Sequence, residues 1–558
     1  MSASSKKKLR KEQSAGNLTP RQQQAKKEAK KLRIQTTAFV IVIALVLVTA
    51  IGVMAYRGVV NSGILQKNIT AATVGEHKMS SAELNYFYMD AISNQYSSWQ
   101  NSFGTSTDSY LKSYYNLDTS LPLDSQYYNP DEKITWADNF IDSAIADAKA
   151  TYAIYDKAIA NEYKLSGDSL EEYEGWVETY EKQAELYGAS TDEMIKANYG
   201  PGSSFETWKS YLKKVITAQA FAADYANSLV YDKDELREHE EGREKEFSSY
   251  SYDSYHLSYT KYPELGTKGE NDNVTYNDEQ KKAALEAAKK DAEALTAANN
   301  SEKFDALIAA LKCNKGNNSA VSTKSVDQGY SAINENLREW LTDPARKEGD
   351  TTVIANTSTT TDEDGKETTV TNGYFALLYK GTSDNSRPLA NVRHLLVKFE
   401  GGTTDSEGNT TYSDKEKAAA KEAADELLAK WQENPTQENF IELVKEHSDD
   451  SSAEKGGLFE NISPDDSYVT EFLDWSLDEK RKEGDCEIIE TQFGYHIMYY
   501  VGDDELTYRD SLITNEMKDA DYTKWYEDIV NAVKAEEGNT GMLQKDFVIA
   551  NLSSNYSY

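Results

Sequence analysis

Two stretches of this chain repeat one another, and that constrains the fold more than any single motif does. Residues 250–381 and 388–502 share four matches in one order. YHLSYTKY at 255–262 sits against RHLLVKFE at 393–400, which places His256 opposite His394. YNDEQKKAALEAAKKDAEAL at 276–295 matches YSDKEKAAAKEAADELLAKW at 412–431. LREWLTDPARKEGD at 337–350 matches FLDWSLDEKRKEGD at 472–485, and NGYFALLYKG at 372–381 matches FGYHIMYYVG at 493–502. Each unit reads as a strand, a long helix, shorter helices and two closing strands. The expectation is an α+β chain with two tandem α/β domains built on small antiparallel sheets.

The flanks read differently. VGEHKMSSAEL opens residues 66–248 with a short strand, a glycine turn and a helix whose Ser80 and Glu83 form a capping box. From there to 248 the apolar spacing is helical, with 101–130 expected as an irregular excursion. The Asp/Asn/Gly/Thr-rich tracts at 264–275, 358–373 and 401–411 are expected as loops or hairpin tips. Residues 503–558 contain an amphipathic stretch at 505–536 whose Tyr, Trp and Leu face needs cover, and the helical module at 66–248 is the available surface.

Charge separates the two ends of the chain. Residues 1–36 hold eleven Lys/Arg against two Asp/Glu, a balance of +9 in a chain whose net charge is -34, so the remainder carries -43. Residues 37–56, TAFVIVIALVLVTAIGVMAY, hold no charge and match the length a helix needs to cross the hydrocarbon core. The basic flank sets the N-terminus in the cytoplasm and the bulk of the chain outside, with residues 37–56 as the anchor in the cytoplasmic membrane. A signal peptide cleaved at Ala55 is the competing reading, set against an apolar core longer than secretory cores. No cysteine directly follows the apolar stretch, which excludes a lipoprotein anchor. The two cysteines, Cys313 and Cys486, are too few for a disulfide framework and read as semi-buried thiols, with a bridge between them left open. An ectodomain this acidic does not suit nucleic acid.

NVRHLLVKF at 391–399 and TQFGYHIMYYV at 491–501 each carry one histidine in an apolar strand-like run, and HSDDSSAEKGGLFEN at 447–461 lies between them. Burying an unpaired polar ring costs free energy, so two such histidines imply a partner or a task. RHLLV, SDDSSAEKGG and FGYHIM, in that order, resemble the parvulin-type peptidyl-prolyl cis-trans isomerase family, and the wider layout resembles PrsA-like membrane-anchored foldases with a SurA-like helical chaperone module. The resemblance implies that residues 388–502 form the isomerase domain. In it His394 and His496 are the floor of the site and Asp450 lies beside the substrate carbonyl. Leu458, Tyr468 and Phe472 are expected to cup the proline ring. No metal and no cofactor is implied.

The family often reads GGDLG where this chain has Gly456-Gly457-Leu458-Phe459, so the pocket rim departs from the family pattern. His447, His77 and His239 read as surface residues, and Asp449 as a residue that shapes the turn. In the first repeat, Phe375 replaces the second histidine and CNKGNNSA replaces the acidic turn, so that copy reads as degenerate. The loop FEGGTTDSEGNTTYSD is acidic and lacks arginine, which excludes the paired cations a phosphopeptide needs.

The function expected is therefore a foldase that isomerises X-Pro bonds in unfolded or partly folded secreted polypeptides outside the cytoplasmic membrane of a single-membrane bacterium. Its rivals are a non-catalytic holdase and a surface structural or adhesion protein with vestigial parvulin domains. The sequence does not fix the oligomeric state.

Overall fold

The computed structural model describes residues 63–553 apart from 270–272, 318, 362–365 and 406–409. The segments 1–36 and 37–56 lie outside the described residues. Among the described residues no helix is long and apolar enough to cross a membrane.

The helical module begins with a hairpin rather than one strand: β1 (Thr70–Val74) and β2 (His77–Ser80) are antiparallel neighbours reversed at Gly75. Ser80 caps α1 (Ser81–Phe103) through a complete capping box with Glu83. Thr135 and Asp138 do the same for α2 (Trp136–Ala160). Two such boxes fix where the long helices start, because each satisfies amide groups the helix cannot pair itself. Leu84, Tyr88 and Ile92 on α1 meet Phe140, Ile141 and Ala144 on α2 in the main core of this module. Further helices, α3 (Gly167–Tyr187) and α4 (Phe205–Ser228), pack beside them. The stretch 101–130 is less irregular than expected, since Thr107–Tyr114 is a helix that buries Thr107 and Leu111.

The repeat is visible as two sheets of one topology. In the first copy, β3 (Ser249–Ser258), β4 (Thr323–Gly329), β5 (Thr351–Thr361) and β6 (Glu367–Ser383) run in the order β4-β3-β6-β5, with helix α5 (Asp278–Leu295) on one face. The second copy has β7 (Pro388–Lys398), α6 (Asp414–Glu433), α7 (Gln437–His447), β8 (Leu458–Ile462), α8 (Thr470–Ser476), β9 (Cys486–Thr491) and β10 (Gly494–Thr507). Its order is β8-β7-β10-β9. Each copy therefore has a fourth strand, β4 or β8, that the reading of three strands per unit lacked. Most of the 358–373 tract expected to be a tip is strand, which suits its β-branched threonines.

Register corrects the pairing of the histidines. Phe375 lies across from His256, whereas His394 lies across from Met498 and His496 from Leu396. The closing strands superpose Phe375 on His496, as the bonds of Tyr379 to Gly349 and Asp350 repeat those of Tyr500 to Gly484 and Asp485. His256 is thus the counterpart of Leu396, and Ser254 is the counterpart of His394. The first copy has lost both site histidines. His256 instead bonds the Asn356 side chain at 2.9 Å and lies 4.6 Å from the Phe375 ring.

Strand β10 runs to Thr507 and passes directly into α9 (Tyr508–Asn531), so residue 503 lies inside a strand and the helix starts five residues later. Tyr522, Trp525, Tyr526 and Ile529 of α9 lie on Ile154, Ala218 and Ala222 of the helical module. The chain then closes the first sheet, with β11 (Ala535–Glu537) pairing β1. Arg509, at the start of α9, donates to the Asp384 carbonyl (2.8 Å) and the Glu244 carbonyl (3.0 Å) and pairs with Glu240. One guanidinium thereby joins the segment between the repeats to the end of the helical module.

Candidate active site

Strand β7 is interior to its sheet, and the two-residue period of a strand divides its side chains between two faces. Leu395 and Phe399 face a core shared with Ala420 and Ala424 of α6. Ala390 and Val392 face the other way, into a cluster with Phe472 and Trp475 of α8 and with Met498 and Tyr500 of β10. His394 and His496 belong to this second face, and both are buried.

The two rings are nearly parallel, 15° apart, and their Nδ1 atoms are 2.9 Å from each other. His394 Nε2 lies 3.2 Å from Ser452 Oγ and 3.3 Å from Asp450 Oδ1. His496 Nε2 lies 2.9 Å from Thr491 Oγ1. All four imidazole nitrogens therefore have a partner within the protein. Burial alone would raise the Asp450 carboxyl, but the hydrogen bond and charge of His394 and the bonds from Ser452 outweigh it and hold the group well below the usual carboxylate range. An ionised Asp450 only accepts, so His394 presents Nε2–H to it. The single proton between the Nδ1 atoms belongs to one ring or the other, and Thr491 Oγ1, which donates or accepts, completes either arrangement.

The acidic turn is tied to the same strand. Leu396 N donates to Ser448 Oγ, Asp449 N donates to Leu396 O, and Lys398 N donates to Asp449 Oδ2. The Asp450 carboxylate accepts from Ser452 N at 2.7 Å. Asp449 thus anchors the turn while Asp450 faces the histidines. His447 stands apart, half-buried, 3.6 Å from Glu446.

Above the histidines lie three aromatic rings. Phe459 and Phe472 stand nearly perpendicular to the His394 ring at 5.0 and 5.4 Å, and Tyr468 meets Phe459 at 5.4 Å and Phe472 at 5.2 Å. Tyr468 and Phe472 are brought together with the histidines as expected, but Leu458 is not. In the ladder Leu458 pairs with Arg393 and Phe459 with Val392, so Leu458 belongs to the opposite face and Phe459 takes the expected place. In the family's GGDLG it is the fourth position that is apolar, and counting positions rather than matching the letter Leu leads to Phe459. Ser452 and Thr491 were not singled out from the sequence. Their signal is local: Ser452 lies in the turn itself, and Thr491 closes the hairpin into Gly494.

Cys486 pairs with Tyr499 on the α6 side of the sheet, away from the histidines, and Cys313 and Cys486 are both free thiols. The surface between Phe459, Tyr468, Phe472 and the imidazoles is an apolar cup on a polar floor whose hydrogen bonds are already made. Such a site can hold a flat apolar ring and disfavour one amide geometry. It has no free imidazole nitrogen to transfer a proton.

The floor also makes stability depend on pH. Burial pushes the His496 imidazole down to about 3; the His394 charge adds to the shift and Asp450 opposes it. An unfolded-chain histidine titrates near ~6.5. Between those values the unfolded chain binds a proton that the native site refuses, so the stability is fully present above about pH 6.5 and is lost as pH falls through that window. The loss is on the order of a few kcal/mol. Asp450 adds a loss of the same sign only in stronger acid. The thermal midpoint of this domain is expected to fall between about pH 7 and about pH 4, and H496F, which carries the first copy's residue, is expected to flatten the slope. Equal slopes by calorimetry would show that His496 is not the acid-sensitive group.

Residues 377–502 match the model of a protein family described as PPIC-type PPIASE domain. The segment is a parvulin-type peptidyl-prolyl isomerase domain; the match reaches back into β6 of the first copy and ends in β10. Among solved structures, the chain is similar to the peptidylprolyl isomerase PrsA of Bacillus cereus, at 24% identity over 27% of this chain and 50% of that one, with a TM-score of 0.17. It is also similar to PrsA of Bacillus anthracis, at 20% identity over 27% of this chain and 59% of that one, with a TM-score of 0.16. The chain thus spans about half the length of the solved structures it matches. No curated protein matches it.

Proposed function

We propose that the chain is a peptidyl-prolyl cis-trans isomerase and chaperone that assists secreted proteins outside the cytoplasmic membrane, held there by residues 37–56. The observation that carries the catalytic part is the fully bonded His394–His496 pair beneath Phe459, Tyr468 and Phe472, with an ionised Asp450 at its edge. Rotation about an amide faces a barrier of about 18–20 kcal/mol set by resonance. A dry cup that grips the proline ring and places fixed dipoles beside the twisted amide lowers that barrier without a covalent step. An acid at the rim suits neutral or basic residues beside the proline.

The helical module supplies the chaperone part of this reading, and the basic flank and uncharged run at the N-terminus supply the anchor. A holdase without catalysis is the second reading. The loss of both histidine positions in the first copy favours it, because the fold there survives without the site. The test is a prolyl isomerisation assay on residues 63–558 with an unphosphorylated X-Pro peptide. Acceleration over the uncatalysed exchange, which takes about 10–100 s, is expected. A folded protein that gives none leaves the holdase.

A further inference from the structure

The two repeats expose four sheet edges, and three of them are protected. Strand β4 carries Lys324 and Asp327, the latter at φ 47. Strand β8 has five residues, with Glu460 and with Asn461 at φ 57, and β9 has six, with Glu487 and Glu490. Charges, short length and kinks are how native proteins stop other chains from adding to an edge. The fourth edge, β5, has none of them. It is eleven residues long, reads TTVIANTSTTT, and holds neither a charged residue nor a proline. It is half-buried at its start and exposed from Ser358 onward. Within one molecule, the edge equivalent to β9 of the isomerase copy has been lengthened and left open.

A second observation shows what this edge accepts. The Asn336 side chain receives the Thr357 N–H on its oxygen (3.4 Å) and donates its nitrogen to the Thr357 carbonyl (3.3 Å). A primary amide sits where the peptide group of a neighbouring strand would sit. Thr357 therefore directs its N–H and C=O outward, and by the two-residue period so do Val353, Ala355 and Thr359. Among the described residues no side chain caps those three.

We infer that β5 takes up an extended segment of non-native polypeptide as an added strand. The inference rests on the foldase reading for the identity of the occupant and on the edge itself for the mode of binding. Pairing of this kind is led by the backbone and is tolerant of sequence, as a chaperone surface requires. It excludes proline from the paired stretch, since proline has no N–H to give. The isomerase cup and the β5 edge would then divide a client between them: one takes the prolyl bond, the other a proline-free stretch. A second copy of this chain suits the edge less well, because symmetric pairing of two β5 strands would displace Asn336 in both.

The test uses residues 63–558 and a fluorescent peptide of alternating threonine and valine capped by lysines, with binding read by anisotropy. In the variant A355P/T359P each proline removes an outward N–H and leaves the ladder to β6 intact. It is expected to weaken binding at least about tenfold. N336A, which frees Thr357, is expected to tighten it. A peptide N-methylated at alternate residues is expected not to bind the wild type, and this arm stands even where the proline variant fails to fold. Unchanged binding by the folded proline variant, or equal binding of the N-methylated peptide, overturns the inference. So does a wild-type dimer that the proline variant abolishes by sedimentation, since the occupant is then a second copy. Prolyl isomerisation measured on the same samples separates the two readings: proline-sensitive peptide binding with no isomerase activity leaves the edge and removes the enzyme.

Discussion

A variant with H394S and H496F is expected to fold and to isomerise X-Pro peptides no faster than solvent does. The pair is chosen because the first copy carries it already: Ser254 and Phe375 occupy these two positions in a sheet of the same topology. The fold therefore has a precedent for the substitution, and loss of rate is not loss of structure. Each histidine holds the other, since a single proton joins their Nδ1 atoms at 2.9 Å. Removing one leaves the other buried with an unmet nitrogen, which costs about 1–3 kcal/mol and frees the remaining ring to turn. Either single substitution is thus expected to lose most of the acceleration, and the double to lose little more, as groups that act as a unit do. Near-ultraviolet circular dichroism checks the packing and a protease-coupled peptide assay reads the rate. A double variant that keeps the wild-type rate would mean that the cup alone is the catalyst.

D450N separates the floor from the rim. It keeps the oxygen that Ser452 N and His394 bond but removes the charge, so a smaller effect than that of the histidine pair follows from the same geometry. This ordering reflects the hydrogen bonds. The histidines are structural to the site and to each other, while the carboxylate sets the field at its edge.

Much of this was legible in the sequence, and the misplaced site residues share one cause. Periodicity placed the long helices and capping chemistry the start of α1, because Ser80 with Glu83 is a local signal that needs no tertiary information. The repeat was legible for the same reason. What was missed depends on register, which a sequence does not print. Aligning His256 with His394 by letter was wrong by two residues, and the ladder shows Ser254 in that place. Leu458 for Phe459 was wrong by one, which in a strand exchanges the two faces. The edge strands β4 and β8 are not legible because TKSVDQG and LFENI are too polar or too short to alternate clearly. Only their ladders to β3 and β7 make them strands.

The largest loss of stability is expected from one methyl group, in G457A. Gly457 stands at φ +67, where an L-residue is strained by about 1–2 kcal/mol. A Cβ there would lie 2.1 Å from the carbonyl oxygen of His394 and 3.1 Å from its carbonyl carbon and nitrogen. These are backbone atoms of a strand paired on both sides, and Gly457 O accepts from His394 N at 3.0 Å, so neither partner can withdraw without breaking the ladder that holds the histidine. Gly484 is the control in the same domain: it stands at φ +88, but its added Cβ meets nothing within 4 Å. G484A is expected to cost about 1 kcal/mol, the conformational strain alone. G457A is expected to cost more than about 4 kcal/mol, a loss reserved for changes that break a buried network or force strain on the backbone. Urea unfolding of the two variants measures the difference. Equal midpoints would mean that the turn at 456–457 shifts freely from β7, and with it that Asp450 and His394 are not held in one rigid frame.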